Sequence, residues 1–199
     1  MGGDALRVAR EKAAGLDPAA IASRVGAEWD DGAHSLTFPF LGSAASITYP
    51  DYEVSIGANP APPHIAALLV YHLAISDGSL PTGTWISFAD LPEASFYVTA
   101  FRGYTAARIA RHFAPGAAKL GGAVESVGGK NLPGLADRAW LIPALPRVPL
   151  ALLWWDADDE FDARAELLFD STASHHLETE GYAILGSWLT SALIRHEGP

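Results

Sequence analysis

Two adjacent histidines set among acids are the first place where this sequence could do chemistry. The stretch "DSTASHHLETEG", residues 170–181, has Asp170 ahead of His175 and His176, with Glu178 and Glu180 behind them. Imidazole nitrogens combined with carboxylate oxygens suit zinc, iron or manganese. Neighbouring residues of an extended chain point to opposite sides, so the two histidines diverge, whereas His176 and Glu178 face the same way. Asp170, at the end of an expected strand, adds a further oxygen, making Asp170, His176 and Glu178 the candidate metal set. Their spacing matches no established metal motif. The competing reading is a polar strand-to-helix connection. In it Thr179 caps the last helix, Ser174 and Glu180 satisfy free N–H groups, and at most one histidine reaches a ligand.

Three other groupings offer chemistry. "WWDADDEFD" (154–162) spaces Asp156, Asp158, Glu160 and Asp162 at alternate positions, but Phe161 and Leu167 stand where a calcium-binding EF-hand loop wants Gly and Glu. A solvated acidic loop is the expectation there. "FRGYT" (101–105) puts Arg102 beside an expected helix start at Thr105, where free N–H groups favour an anion, with pairing of Arg102 to an acid as the alternative. His64 and His72 share one apolar helix but lie about 12 Å apart along it, too far for one ion. His72 alone could be an axial ligand to a planar cofactor, or a hydrogen-bonded histidine of the core. The patterns GxGxxG, Walker A, GxSxG and HExxH are absent.

Composition excludes several classes of function. The 199 residues carry a net charge of −10, which disfavours nucleic acid and anionic lipid as partners. No cysteine is present, so disulfides, a thiol nucleophile and an iron–sulfur cluster held by this chain's thiolates are all excluded. The N-terminal residues lack a signal-peptide core, and the longest apolar helix candidate, "IAALLVYHLAI" (65–75), is too short to span a bilayer. A cytoplasmic protein is expected.

The elements that must position these residues follow from turn and cap signals. Residues 1–26 read as a helical extension: one helix over about Asp4 to Ala14, and a second with Asp17 as N-cap, Pro18 in the first turn and Gly26 past the end. Asp31-Gly32, Leu41-Gly42-Ser43 and Pro50-Asp51 then separate short aromatic and β-branched runs, a meander of three or four strands. A helix over about Pro62 to Ser76 is apolar on nearly every side and belongs in the core. "TWISF" (84–88) and "SFYVTAF" (95–101) read as strands, and Thr105 to Phe113 and Ala117 to Val127 as helices. "RAWLIPAL" and "VPLALLWW" form a strand pair, with Pro143 and Pro149 marking edges or bulges, and "AELLF" is the last strand. Leu185, Trp188, Leu189 and Ala192 form one apolar stripe on a final helix. The sum is an α+β protein, an antiparallel or mixed sheet packed with helices in a single domain over 1–199.

Taken in order, "FPFLG" (38–42), "TWISFADLPEASFYVTAFRG" (84–103), "IPALPRVPLALLWWDADDEF" (142–161) and "LFDSTASHHLETEGYAILG" (168–186) resemble a bacterial and archaeal family. It is known as domain of unknown function, family 3786, and the resemblance runs from about Ser35 to Leu193. Some members carry an iron–sulfur module like that of corrinoid proteins, for which this cysteine-free chain has no ligands. The resemblance implies a stand-alone cofactor-related or small-molecule-binding domain and brings no catalytic residues to transfer. The expected function is therefore binding of a small molecule or cofactor, a tetrapyrrole among the options. The expected site lies near the start of the last helix, with His175, His176, Arg102, Trp85 and Tyr97 as contacts. The rivals are a metal-dependent hydrolase or lyase using Asp170 and His176 on a divalent ion, and a non-catalytic adaptor with a protein partner.

Overall fold

Asp17 and Pro18 start the best-defined helix of the N-terminal part. The Asp17 carboxylate accepts from the Ala20 N–H at 3.0 Å, and Gly26 ends the helix with φ 75°. This helix, α2 (Pro18–Val25), follows α1 (Gly2–Ala13), which packs along a later helix through the fully buried Ala9 and Ala13. The computed structural model describes residues 2–114 and 116–196.

The turn formers after residue 26 fold the chain into an antiparallel meander. Its strands are β1 (Glu28–Asp30), β2 (Ser35–Phe40), β3 (Ser43–Thr48), β4 (Val54–Ile56) and β5 (Asn59–Pro60), side by side in chain order. The fifth strand, only two residues long, exceeds the three or four expected because so short a run carries no pattern of its own. Along β2, Leu36, Phe38 and Phe40 are buried, the period of two that a half-covered sheet requires. The tip of the β2–β3 hairpin lies against the Ser126–Val127 backbone. A Cβ at Gly42, whose φ is 79°, would sit 2.8 Å from the Ser126 carbonyl oxygen, so the approach needs glycine.

Helix α3 (Pro63–Ile75) is buried continuously from Ile65 to Val70, as expected of a helix with no polar face. A second antiparallel sheet comprises β6 (Trp85–Ser87), β7 (Lys130–Asn131), β8 (Arg138–Leu145), β9 (Val148–Trp155) and β10 (Arg164–Asp170), in the order β6-β10-β9-β8-β7. Pro143 and Pro149 face each other across β8 and β9, beside a register shift. Strand β7 reaches β8 only at Trp140 and Leu141, and β10 reaches β9 no further than Leu150. Neither missing N–H therefore breaks a ladder bond on its outer side.

Helices α4 (Val98–Tyr104), α5 (Ala106–Phe113) and α6 (Ala117–Ser126) fill the connection from β6 to β7, and α7 (Thr179–Arg195) follows β10. The strand expected over 95–101 is instead a 3-10 turn, Ala94–Phe96, running into α4. Aromatic and β-branched residues favour strands, but this segment pairs with none of the described strands, and its burial does not alternate. Phe96 is 92% exposed and Tyr97 63%, while Phe101 is buried and stacks on Phe88 with ring centroids 3.9 Å apart. Thr105 does not cap α5 with its side chain; its hydroxyl donates to the Phe101 carbonyl at 2.5 Å. The fold is α+β, with two antiparallel sheets and a buried core drawn from both of them and from every helix except α4's exposed face. No helix among the described residues is long and apolar enough to cross a membrane.

Candidate functional site

Helix α7 carries two different faces. Leu185, Leu189, Ala192 and Leu193 are buried, whereas Glu180, Ala183, Ser187, Ser191 and Arg195 recur every three or four residues along another side. That second side, with Ile184 and the half-buried Trp188, forms one wall of a groove of about 1070 Å³. Phe88, Tyr97 and Tyr104 from the opposite segment form the other wall, and His64 at the start of α3 closes one flank. The His64 ring meets Trp188 edge-on, with centroids 6.1 Å apart, and the Arg195 guanidinium lies 5.4 Å from the Trp188 ring. Small residues on α7 leave the groove open along the helix, while the aromatic rings give it broad apolar walls.

The start of α7 fixes one end of the groove. Glu178, in extended conformation, holds the N-cap position without a side-chain cap bond. Thr179, expected as the cap, sits one residue inside the helix. Its hydroxyl donates to the Pro92 carbonyl at 2.5 Å, which ties this end of α7 to the turn carrying Glu93. Glu93 has φ 58°, the left-handed region that a non-glycine residue seldom adopts. Glu93, Glu178 and Glu180 thus gather at one end of the groove and Arg195 at the other. Glu178 accepts from the Tyr71 hydroxyl at 2.7 Å, and that oxygen accepts from Lys12 at 2.6 Å.

The two histidines of the opening motif do diverge. They belong to a 3-10 turn over Ala173–His175 and the residue after it, not to an extended loop. His175 remains half exposed and pairs with Asp77 at 2.6 Å. This bond, with further ones from Ser79, holds the Asp77 carboxyl well below the usual carboxylate range. His176 is fully buried, its Nδ1 2.9 Å from the Ser76 hydroxyl. Its ring lies 6.1 Å from that of His72, another fully buried residue. His72 Nδ1 is 3.1 Å from the His176 carbonyl oxygen; since a carbonyl only accepts, Nδ1 carries the proton. Burial lowers the pKa of His72 to about 4 and also lowers that of His176, so both rings are neutral at pH 7. The Nε2 atoms of both rings are buried and have no hydrogen-bond partner among the described residues.

Asp170, His176 and Glu178 are not brought together as one ion's ligands. Asp170 is nearly buried and accepts from the N–H groups of Thr82, Gly83 and Thr172 and from the Thr172 hydroxyl. Burial alone would raise its pKa, but these bonds outweigh it and hold the carboxyl below its ordinary value. Its lone pairs are committed to stapling the 82–84 loop to the end of β10. His176 is turned toward α3, and Glu178 faces solvent and Tyr71. Among the described residues no group of three or more His, Asp or Glu side chains is placed to hold a metal ion.

The remaining expected contacts are spread over the molecule. Tyr97 lines the groove. Trp85 instead packs on the other face of the second sheet with Ala139, Ala151 and Leu153. Arg102 lies within α4, pairs with Glu166 at 3.6 Å and borders a smaller groove of about 720 Å³ between α5 and β10. His175 and His176 do not line the main groove, although Ser174 and Leu177 on either side of them do. The acidic loop folds on itself: Asp158 accepts from the N–H groups of Glu160 and Phe161 at 2.9 and 2.7 Å. Sequence reasoning missed Glu93, Tyr104, Ser187 and Ser191 as lining residues. The small and polar stripe on α7, running alongside its apolar one, was the available signal.

No curated protein and no solved structure matches the chain. The model of one family, described as domain of unknown function DUF3786, matches residues 17–192, from the Asp17 cap through both sheets almost to the end of α7. Over that span, which contains every wall of the groove except Arg195, the chain belongs to the DUF3786 family.

Proposed function

We propose that this chain is a small-molecule-binding domain and that its ligand lies in the groove between α7 and the 88–104 segment. One observation carries the reading: a groove of about 1070 Å³ walled by Tyr97, Tyr104 and Trp188 and dotted with hydroxyl and charged groups. Ligand sites characteristically combine broad apolar walls with a few polar groups that fix orientation. Binding, and not covalent chemistry, fits the lining best, because the buried imidazoles of His72 and His176 lie elsewhere and Asp170 is saturated with donors. Were a planar cofactor such as a tetrapyrrole bound here, Tyr97, Tyr104 and Trp188 would supply apolar contact and His64 a nitrogen ligand for its metal.

The test is thermal denaturation and tryptophan fluorescence of the full chain with haem, a corrinoid, a flavin and a library of small aromatic compounds. A ligand of this groove raises the melting temperature and perturbs Trp188, and Ser187→Trp, which fills the groove, abolishes both effects. Stabilisation that survives Ser187→Trp would move the site elsewhere. A panel with no effect on either signal would overturn the reading.

A further inference from the structure

Strand β10 is paired over different lengths on its two sides. Toward β9 the ladder runs from Arg164 to Phe169, whereas toward β6 it covers only Leu168 to Asp170, because the 3-10 turn starting at Phe88 carries the chain away. Residues 164–167, about 13 Å of strand, therefore have no strand on their outer side. The Ser171 N–H donates to the Thr84 carbonyl across that side at 2.8 Å. Main-chain groups alternate in direction along a strand, so those of Ala165 point the same way. Among the described residues no strand pairs with them there, and Ala165 is only half-buried.

This open edge borders the smaller groove of about 720 Å³. Five consecutive residues, Ala163 to Leu167, line it, and only the edge of a strand presents neighbours from both of its faces. The opposite wall is α5, where Ala106, Ala107, Ala110 and Ala114 leave the space unfilled. With a helix as its outer wall, the groove admits one extended chain and not the edge of a second sheet. Its lining is basic on a protein of net charge −10: Arg102, Arg111 and Arg164 stand against Asp162 and Glu166. Glu166 is taken by Arg102 at 3.6 Å, whereas Arg111 and Arg164 form no ion pair among the described residues; the Arg164 guanidinium lies 4.0 Å from the Trp155 ring.

We propose that this edge binds an extended, acidic peptide segment of a partner protein, added as a strand antiparallel to β10 and in line with β6. Main-chain bonds to Ala165 hold the peptide, and side chains at alternate positions select it. Ala165 packs on the same core as Leu167, so the peptide residue opposite it is apolar and lies against the alanines of α5. The next residue, opposite Arg164, falls on the other face and is Asp or Glu. The two grooves share only Phe88, so a small molecule beside α7 leaves this edge open.

The probe is a capped, fluorophore-labelled peptide, Thr-Val-Glu-Val-Thr, titrated with the full chain to millimolar concentration and followed by fluorescence anisotropy, beside its counterpart Thr-Val-Lys-Val-Thr. The glutamate peptide should bind about three- to tenfold more tightly, with the gap narrowing as salt rises, and Arg164→Glu should reverse the order. N-methylation of both valines, whose N–H groups point at β10, should abolish binding. N-methylation of the glutamate, whose N–H points away, should leave affinity within about twofold. Ala107→Trp, an exposed change that fills the groove, should remove binding at an unchanged melting temperature. Binding that ignores valine N-methylation or survives Ala107→Trp, equal affinity for the two peptides, or no binding of either overturns the proposal. A dimer in sedimentation that Ala107→Trp disperses would give the edge to a second copy of the chain and overturn it as well.

Discussion

His72 and His176 face each other in a place where neither can be charged cheaply, and this makes acid their adversary. His72 has a folded pKa of about 4 against an ordinary value of 6.5. As pH falls through 6.5 the unfolded chain takes up the proton first, while the folded chain resists until about pH 4. The stabilisation linked to His72 is thus complete above pH 6.5, declines as pH falls to about 4, and changes little below that. Between pH 7 and 4.5 the loss should be about 2–3 kcal/mol, measurable by urea denaturation at several pH values. The reference is His72→Gln, which keeps a donor for the His176 carbonyl and removes the titration. Its stability should fall less steeply over the same window. Parallel slopes for the two proteins would show that His72 is not desolvated as its surroundings imply. In sequence the pair reads as two unrelated residues, a core histidine on one helix and half of a dipeptide about a hundred residues later. Only tertiary packing sets them 6.1 Å apart.

Helix α7 shows why an element's propensity and its packing need not agree. Gly186 lies in its interior, where alanine would be favoured by about 1 kcal/mol on backbone grounds. A Cβ there would meet Phe101 at 2.8 Å, and Phe101 is itself stacked on Phe88 at 3.9 Å and cannot retreat freely. Packing should win: Gly186→Ala is expected to destabilise the protein by about 1–3 kcal/mol, seen as a lower denaturation midpoint at unchanged slope. Gly186→Ala combined with Phe101→Leu, which relieves the contact, should destabilise less than the two single changes added together. The elements with capping chemistry or strong patterning were legible, among them α2 through Asp17 and Gly26 and α3 through its apolar run. The segment 95–101 was not. Its β-forming residues were outweighed by the single anchor Phe101, whose stacking on Phe88 is not a local property. The groove inherited that error, since Tyr97 and Tyr104 line it because α4 is a helix.

The wall carried by α7 and the wall carried by residues 88–104 are separated by some eighty residues of chain, so no local pattern could reveal that they meet. The address of the site near the start of α7 came from polarity alone, and polarity also pointed to Asp170 and the histidine pair, whose bonds are internal to the fold. A similar non-local dependence concerns α1, which precedes the span matched by the family and reads in sequence as an extension. In the structure it is bound into the molecule. Ala9 and Ala13 are fully buried, the Tyr52 hydroxyl donates to the Ala13 carbonyl at 2.6 Å, and Arg10 pairs with Glu53 at 2.7 Å. Lys12 extends this contact to the groove rim through Tyr71 and Glu178. Deleting residues 1–16 should therefore cost stability. Loss of the buried contacts should lower the melting temperature by about 5–10 °C, the change expected when about 2–3 kcal/mol is lost from a protein of this size. Lys12→Met removes the bond to Tyr71 while leaving the helix in place, so it should match the native melting temperature closely. A truncated protein as stable as the full chain would mean that α1 rests on the surface without supporting it.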